Sequence, residues 1–139
     1  MVDLINRKIV PHEKMVALKQ EEIKDYLSQL KEGWLVSPKP NGEGGEFLSI
    51  TKDPSASLRA SFKFEDFVKA MEFVNKIAVV AEKEDHHPDI AIHYNKVDII
   101  LWSHFINGLS ENDFIIAAKI DNISLFLGNK KQRNSSVFC

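Results

Sequence analysis

The apolar period of the chain changes near Pro88, and this change restricts the fold more than any other feature. Over residues 64–85 apolar side chains recur every three or four positions, which predicts a helix of several turns with one face in the core. Proline cannot continue that helix. Residues 90–94 are strand-like and residues 97–104 alternate between two faces, so we expect a β-hairpin connected at Asn95 and Lys96.

The faces of these elements identify candidate core residues. On the helix they are Phe67, Met71, Val74, Ala78 and Ala81, widened by Phe64, Val68 and Ile77. On the second strand of the hairpin, one face carries Val97, Ile99, Leu101 and Ser103, and the other carries Asp98, Ile100, Trp102 and His104. The helical set is interpreted as core and not as a face that binds a cofactor.

The remaining segments extend this pattern in both directions. Residues 18–30 have helical spacing, and Ser110 is a predicted N-cap for a last helix, with Glu111 and Asp113 in its first turn. Short strands are expected over residues 34–36, 47–51 and 58–62, and a Pro- and Gly-rich surface loop over residues 37–45. The order helix, strands, helix, hairpin, helix predicts an α+β fold with two layers, an antiparallel sheet with helices packed on one face.

Charge and composition exclude several classes of function. The chain has 18 Lys and Arg against 20 Asp and Glu, a net charge of −2 with His neutral, so we expect no direct nucleic-acid partner. The only basic cluster, residues 130–133, lies in a polar tail and is interpreted as a solvated terminus. Cys139 is the only cysteine, no apolar run approaches bilayer length, and the first residues lack a secretory signal. We therefore expect an intracellular protein with no disulfide and no membrane partner.

Three of the five histidines fall at junctions between predicted elements, where sites are commonly built. His86 and His87 lie between the long helix and a proline, flanked by Asp85 and Asp89, and His104 ends a strand. A carboxylate beside an imidazole orients the ring and favours its protonated form, so this run is a candidate for general acid–base catalysis. The alternative is a helix terminus at which one ring caps the last carbonyl groups.

A metal site is the main rival interpretation. Zinc or iron bound by His86, His104 and a carboxylate is conceivable, but adjacent His side chains diverge, and the chain has neither a His-Glu-x-x-His helix nor a Cys pair. Asp113 taken alone is interpreted as a helix-start acid, and His12 and His93 as surface or strand residues. Residues 42–45 lack the features of a phosphate loop. We expect neither a metal nor a nucleotide.

Four segments, in order along the chain, carry a likeness to a known family. They are Ala81-Glu82-Lys83-Glu84-Asp85-His86-His87-Pro88-Asp89, Tyr94-Asn95-Lys96-Val97, Ser103-His104 and Gly108-Leu109-Ser110-Glu111-Asn112-Asp113. Together they resemble the pterin-4a-carbinolamine dehydratase family, over about residues 17–121. The resemblance implies a 4a-hydroxytetrahydrobiopterin dehydratase, a hydro-lyase that converts 4a-hydroxytetrahydropterin to quinonoid dihydropterin in tetrahydrobiopterin recycling. It also implies that the reaction uses no metal and no organic cofactor, with the pterin as substrate.

The resemblance further implies which residues form the site. The implied catalytic residues are His86, His87 and His104. The residues implied to bind or orient the substrate are Glu82, Asp85, Pro88, Asp89, Ser103 and Asp113. Within this set we expect His86 and His104 to be the proton donor and acceptor, and His87 to hold the pterin.

The limits of the resemblance also divide the chain into three parts. We expect an N-terminal extension (residues 1–16), a dehydratase-like domain (residues 17–127, with a loop insertion at about 37–57) and a polar tail (residues 128–139). The family implies a homodimer or homotetramer. We expect the protein in the cytoplasm, with the nucleus as an alternative. Some relatives are dimerisation, assembly or transcription cofactors, so the alternative function is a non-catalytic binding module, with a transcription factor or a hydroxylase as partner.

Overall fold

The computed structural model describes residues 4–38, 56–103, 106, 108–127 and 130–131. The strand expected over residues 47–51, most of the loop insertion and His104 lie outside the described residues. In chain order the elements are helix α1 (Gln20–Ser28), strands β1 (Leu35–Pro38) and β2 (Ala56–Lys63), helix α2 (Phe67–Glu84), strands β3 (Asp89–His93) and β4 (Lys96–Leu101), helix α3 (Glu111–Phe126) and strand β5 (Lys130–Lys131). Within these ranges no helix combines the length and the apolar character needed to cross a membrane.

The strands form one antiparallel sheet in the order β1-β2-β4-β3, and β5 also pairs with β2. The central pair, β2 and β4, runs in register from Leu58 opposite Leu101 to Lys63 opposite Lys96. Alternate residues of this pair are fully buried in one cluster with residues of the helices: Leu58, Ala60, Phe62, Val97, Ile99 and Leu101. The predicted α+β fold is therefore confirmed. Of the two faces of β4, the buried one carries Val97, Ile99 and Leu101.

Both ends of the described chain pack onto the domain. Leu4 is buried in the same core as the residues of α3. At the other end, Lys130 and Lys131 pair with Lys63 and Phe62 of β2. The expectation of a solvated terminus is wrong for the backbone of these two lysines, because the edge of β2 extends beyond β1 and is available for pairing.

Helix α2 is rotated relative to its predicted core face. The residues that it buries are Ala70, Phe73, Ile77 and Ala81. In the predicted set, Phe67 and Val68 are 48% and 64% exposed, Ala78 is exposed, Met71 and Val74 are half-buried, and Phe64, Ile77 and Ala81 are buried as expected. The ring of Phe73 favours the observed rotation, because its centroid lies 4.8 Å from the ring centroids of both Phe62 and Phe64. The prediction was wrong because α2 is apolar over a wide arc, within which spacing alone does not select the buried side.

Two turns with positive φ shape the corner between α2 and the hairpin. Asp85 has φ 55° and ends α2, and the N–H of His86 donates to the carbonyl of Ala81 at 3.1 Å. Tyr94 also has φ 55°, and the hairpin turn is Tyr94–Asn95. This turn lies one residue before the predicted connection, because Lys96 already pairs with His93.

Helix α3 begins as predicted, directly after Ser110. The Oγ of Ser110 accepts from the N–H of Asn112 at 3.2 Å, and the Asp113 carboxylate accepts from the N–H of Ser110 at 2.9 Å. The first turns of α3 lie deep in the domain, since residues 112–117 are all buried. The start of α3 therefore places a carboxylate inside the protein.

Replacement of Ile77 tests the observed rotation of α2. Ile77→Ala should lower the free energy of unfolding by about 2–5 kcal/mol, because it leaves a cavity at a fully buried position. The matched change Val68→Ala, measured at dilutions at which the chain is monomeric, should cost less than about 0.5 kcal/mol, since this side chain is exposed in the single chain. Urea unfolding followed by circular dichroism measures both, and a greater loss for Val68→Ala would contradict the rotation.

Candidate active site

A histidine–carboxylate pair joins the end of α2 to the start of α3. His86 Nε2 lies 2.7 Å from Asp113 Oδ1, and the two side chains are 6% and 0% exposed. A carboxylate only accepts hydrogen bonds, so Nε2 carries the hydrogen in this contact, and Nδ1 is the ring nitrogen that the contact does not engage. The fold thus brings together two predicted site residues that are distant in sequence.

The second oxygen of Asp113 is held as well. Asp113 Oδ2 accepts from Ser103 Oγ at 2.8 Å and from the N–H of Ser110 at 2.9 Å. The hydroxyl oxygens of Ser103 and Ser110 lie 2.8 Å apart. Three donors from separate segments therefore converge on one buried carboxylate, which supplies the partners that burial requires. The orientation of the His86 ring consequently depends on two segments besides its own, the one that follows β4 and the start of α3.

His87 has the opposite environment. Its Nε2 lies 2.7 Å from Oε2 of Glu82, in the last turn of α2, and the two side chains are 53% and 80% exposed. An exposed pair of this kind contributes little to stability. The contact nevertheless orients an imidazole that solvent and a ligand can reach. The adjacent histidines therefore present one buried ring and one accessible ring.

The other predicted site residues lie around the same corner. Trp102 Nε1 donates to Asp89 Oδ2 at 3.4 Å, which links the end of β4 to the start of β3. Asp85 is the exposed residue that ends α2, and Pro88 is half-buried. His104 lies outside the described residues, so its convergence with the other two histidines stays a prediction.

A second histidine–carboxylate contact lies on the sheet face opposite the helices. His93 Nε2 is 3.3 Å from Asp98 Oδ2, and Asp98 Oδ1 accepts from Ser61 Oγ. Burial lowers the pKa of the neighbouring Arg59, against the opposing effect of the Asp98 carboxylate. The sequence interpretation treated His93 as a surface or strand residue and missed this network. The available signal was Asp98 itself, since a carboxylate within an apolar strand requires donors when it is buried.

In the part of the chain that the structure describes, no three His, Cys, Asp or Glu side chains are grouped to hold a metal ion. An open cavity of about 630 Å³ lies between residues 6–11 and the end of α2, and its lining includes Arg7, Lys83, Asp85 and Lys119. The cavity therefore adjoins the turn from which His86 and His87 follow.

Comparison with known proteins identifies the family of this chain. The family model described as pterin 4 alpha carbinolamine dehydratase matches residues 16–123, a range that contains every residue of the predicted site. The chain belongs to the pterin-4a-carbinolamine dehydratase family. The resemblance stated from the sequence is therefore confirmed, and with it the broad class of the family, a dehydratase that acts on a pterin.

Relatives of this family match most of the chain. A protein of Rickettsia bellii, provisionally named pterin-4-alpha-carbinolamine dehydratase, is 40% identical over 119 residues, which are 85% of this chain and 91% of the relative. A protein of Nitrosospira multiformis with the same provisional name is 40% identical over 122 residues, 87% of this chain and 92% of the relative. The crystal structure of a transcriptional coactivator/pterin dehydratase from Brucella melitensis matches with a TM-score of 0.62 at 33% identity, covering 78% of this chain and 99% of its own. The dehydratase fold is thus common to this chain and that structure.

Isosteric replacement of the two carboxylates tests the difference between the buried and exposed pairs. Asp113→Asn should lower the free energy of unfolding by about 1–3 kcal/mol, because an amide nitrogen replaces an oxygen that accepts from buried donors. Glu82→Gln should cost less than about 1 kcal/mol, since its contact with His87 is exposed. Chemical unfolding of both variants measures the difference, and equal costs would contradict the role assigned to Asp113.

Proposed function

We propose that this protein catalyses the dehydration of 4a-hydroxytetrahydropterin to quinonoid dihydropterin by general acid–base catalysis. The observation that carries the proposal is the corner at which a buried, fixed imidazole, His86, adjoins an accessible imidazole, His87. Both rings lie at positions that match the motif of the family. The overall reaction removes the 4a-hydroxyl group together with the hydrogen of N5, so one group must donate a proton to the leaving oxygen and another must accept one from nitrogen.

Burial supports a division of roles that differs from the one expected from sequence. His86 is almost inaccessible and uses Nε2 to contact Asp113, whereas His87 is exposed and oriented by Glu82. We therefore propose that His87 exchanges a proton with the pterin and that His86 fixes the ring-binding corner. His104 is proposed as the second proton-transfer group. The sequence-based assignment, with His86 and His104 as donor and acceptor, is the rival that the same experiment tests.

The proposed reaction needs no metal and no organic cofactor. Proton transfer between imidazoles and the pterin is sufficient for loss of water, because no electrons enter or leave the substrate overall. The biological setting proposed with it is tetrahydrobiopterin recycling in the cytoplasm, beside an aromatic amino acid hydroxylase that produces the substrate.

Kinetics of histidine variants test this proposal. With chemically generated 4a-hydroxytetrahydropterin, His87→Gln should lower kcat by about 10²–10⁴-fold, because it removes the accessible proton-transfer group. His93→Gln serves as the matched control on the opposite sheet face and should retain wild-type kcat. His86→Gln and His104→Gln complete the series, and a chelator should leave wild-type activity intact. Full activity of His87→Gln, or a chelator-induced loss restored by added metal, would contradict the mechanism.

The second candidate function is a binding module. The Brucella melitensis neighbour is called a transcriptional coactivator as well as a pterin dehydratase. On α2 the apolar side chains of Phe67, Val68 and Val79 are exposed, which favours contact with another protein chain. We propose a homodimer or homotetramer from the same observation, the exposed apolar side chains of α2. His87→Gln separates the two functions, because it should abolish dehydration and leave the exposed face of α2 unchanged.

The face of α2 also gives a prediction about assembly. Val68→Glu should reduce the mass of the particle in solution, because a charge at an exposed apolar position opposes burial in an interface. Lys69→Glu is a control on the adjacent, polar position. Light scattering after size-exclusion chromatography measures the mass, and a wild-type protein that is monomeric at all concentrations would contradict the proposed oligomer.

A further inference from the structure

We infer that the segment of residues 4–10, which precedes the matched range of the family, is a clamp that holds the first turn of α3 and thereby positions Asp113 and His86. Asn112 is the residue of α3 that the clamp engages, and we assign it as a positioning residue because it directly precedes Asp113 in the same helical turn. The consequence for activity rests on the proposed dehydratase function. The consequence for the geometry of the His86–Asp113 pair does not.

The end of the segment is tied to α3 through the Asn112 side chain. The N–H of Val10 donates to Asn112 Oδ1 at 2.9 Å, and Asn112 Nδ2 donates to the carbonyl of Val10 at 2.8 Å. The Asn112 side chain is fully buried. One amide group thus satisfies both backbone polar groups of a residue from an irregular segment, in the way that a neighbouring strand would. This pairing fixes the position of residue 10 relative to the first turn of α3.

An ion pair connects the middle of the segment to the same turn of α3. Arg7 forms an ion pair with Glu111, the first residue of α3, and its Nη1 also donates to Tyr26 Oη of α1 at 3.1 Å. The hydrogen bond to Tyr26 and the Glu111 carboxylate raise the pKa of Arg7, although burial opposes them. The guanidinium therefore connects α1, the N-terminal segment and α3.

The beginning of the segment is anchored further along α3. Lys119 Nζ donates to the carbonyl of Ile5 at 2.7 Å, and Leu4 is buried in the main core. The segment consequently lies against α3 from its second half to its first turn. Because the clamp is attached at residues 4–5, 7 and 10, its register against α3 is fixed along its length.

The site is sensitive to the position of this turn. The first turn of a helix frays most easily, because its N–H groups lack partners within the helix. Asp113 serves as the reciprocal acceptor for Ser110 and as the partner of His86, so fraying would break both contacts. Catalytic groups must be held to about 0.5 Å to keep a productive geometry. A clamp on residues 111 and 112 restricts the motion that would loosen residue 113.

Nuclear magnetic resonance of the His86 ring tests the clamp independently of activity. In the wild-type protein, the hydrogen on His86 Nε2 is buried away from solvent and bonded to a carboxylate, so it should exchange slowly and give a downfield imidazole N–H resonance. The loss of this resonance in His86→Gln assigns it. Asn112→Ala and Arg7→Ala should broaden this resonance or move it. Asn122→Ala on the same helix and Lys8→Ala on the same segment are matched controls and should leave it unchanged.

Kinetics give the second readout. Asn112→Ala and Arg7→Ala, assayed well below their melting temperatures, should lower kcat by about tenfold or more, with a smaller change in KM, because small displacements of positioned groups reduce the chemical step. If Asn112→Ala does not fold, Arg7→Ala, whose side chain is partly exposed, carries the test. Wild-type kcat and an unchanged resonance in folded variants would overturn the clamp and leave these contacts a role in stability alone. An inactive wild type would refute the proposed function, whereas the resonance would still decide the clamp.

Discussion

The buried carboxylate of Asp113 is the interaction on which the rest of this corner depends. A carboxylate removed from water is stable only when donors surround it, and here the donors come from Ser103 after β4, Ser110 before α3 and His86 after α2. The same group therefore caps a helix, joins the sheet to the helical layer and orients an imidazole. Structure and proposed chemistry consequently share one constraint, because a change that frees Asp113 disturbs both.

Much of the fold follows from local features of the sequence. Ser110 with Asp113 is a capping box, Pro88 limits how far α2 can extend, and alternation over residues 97–101 separates the two faces of β4. The side of α2 that faces the core could not be predicted from such local features. Its two candidate faces are both apolar, and the choice depends on the contact of Phe73 with rings from β2 and the residue that follows it, which is a property of the assembled layers.

The site was predicted as a set of residues, but not as an arrangement. The resemblance to the family indicated His86, His87 and Asp113, and all three lie within the range that the family model matches. Their roles depend on burial, and two consecutive histidines give no local signal of which ring is covered. The contacts between residues 4–10 and α3 are equally invisible in the sequence, since the pairing of Asn112 with a backbone segment about a hundred residues away has no periodic pattern.

The environment of His87 follows from that of His86. The left-handed conformation of Asp85 ends α2 and delivers the next residue to the buried carboxylate. The residue before a proline is restricted to extended backbone conformations, so His87 continues the chain in an extended form. Successive side chains of an extended chain point to opposite sides. Because the His86 ring contacts Asp113 inside the protein, the His87 ring points outward. There it contacts Glu82, in the last turn of α2. A single buried contact can therefore set the position of the ring that we propose exchanges protons with the pterin.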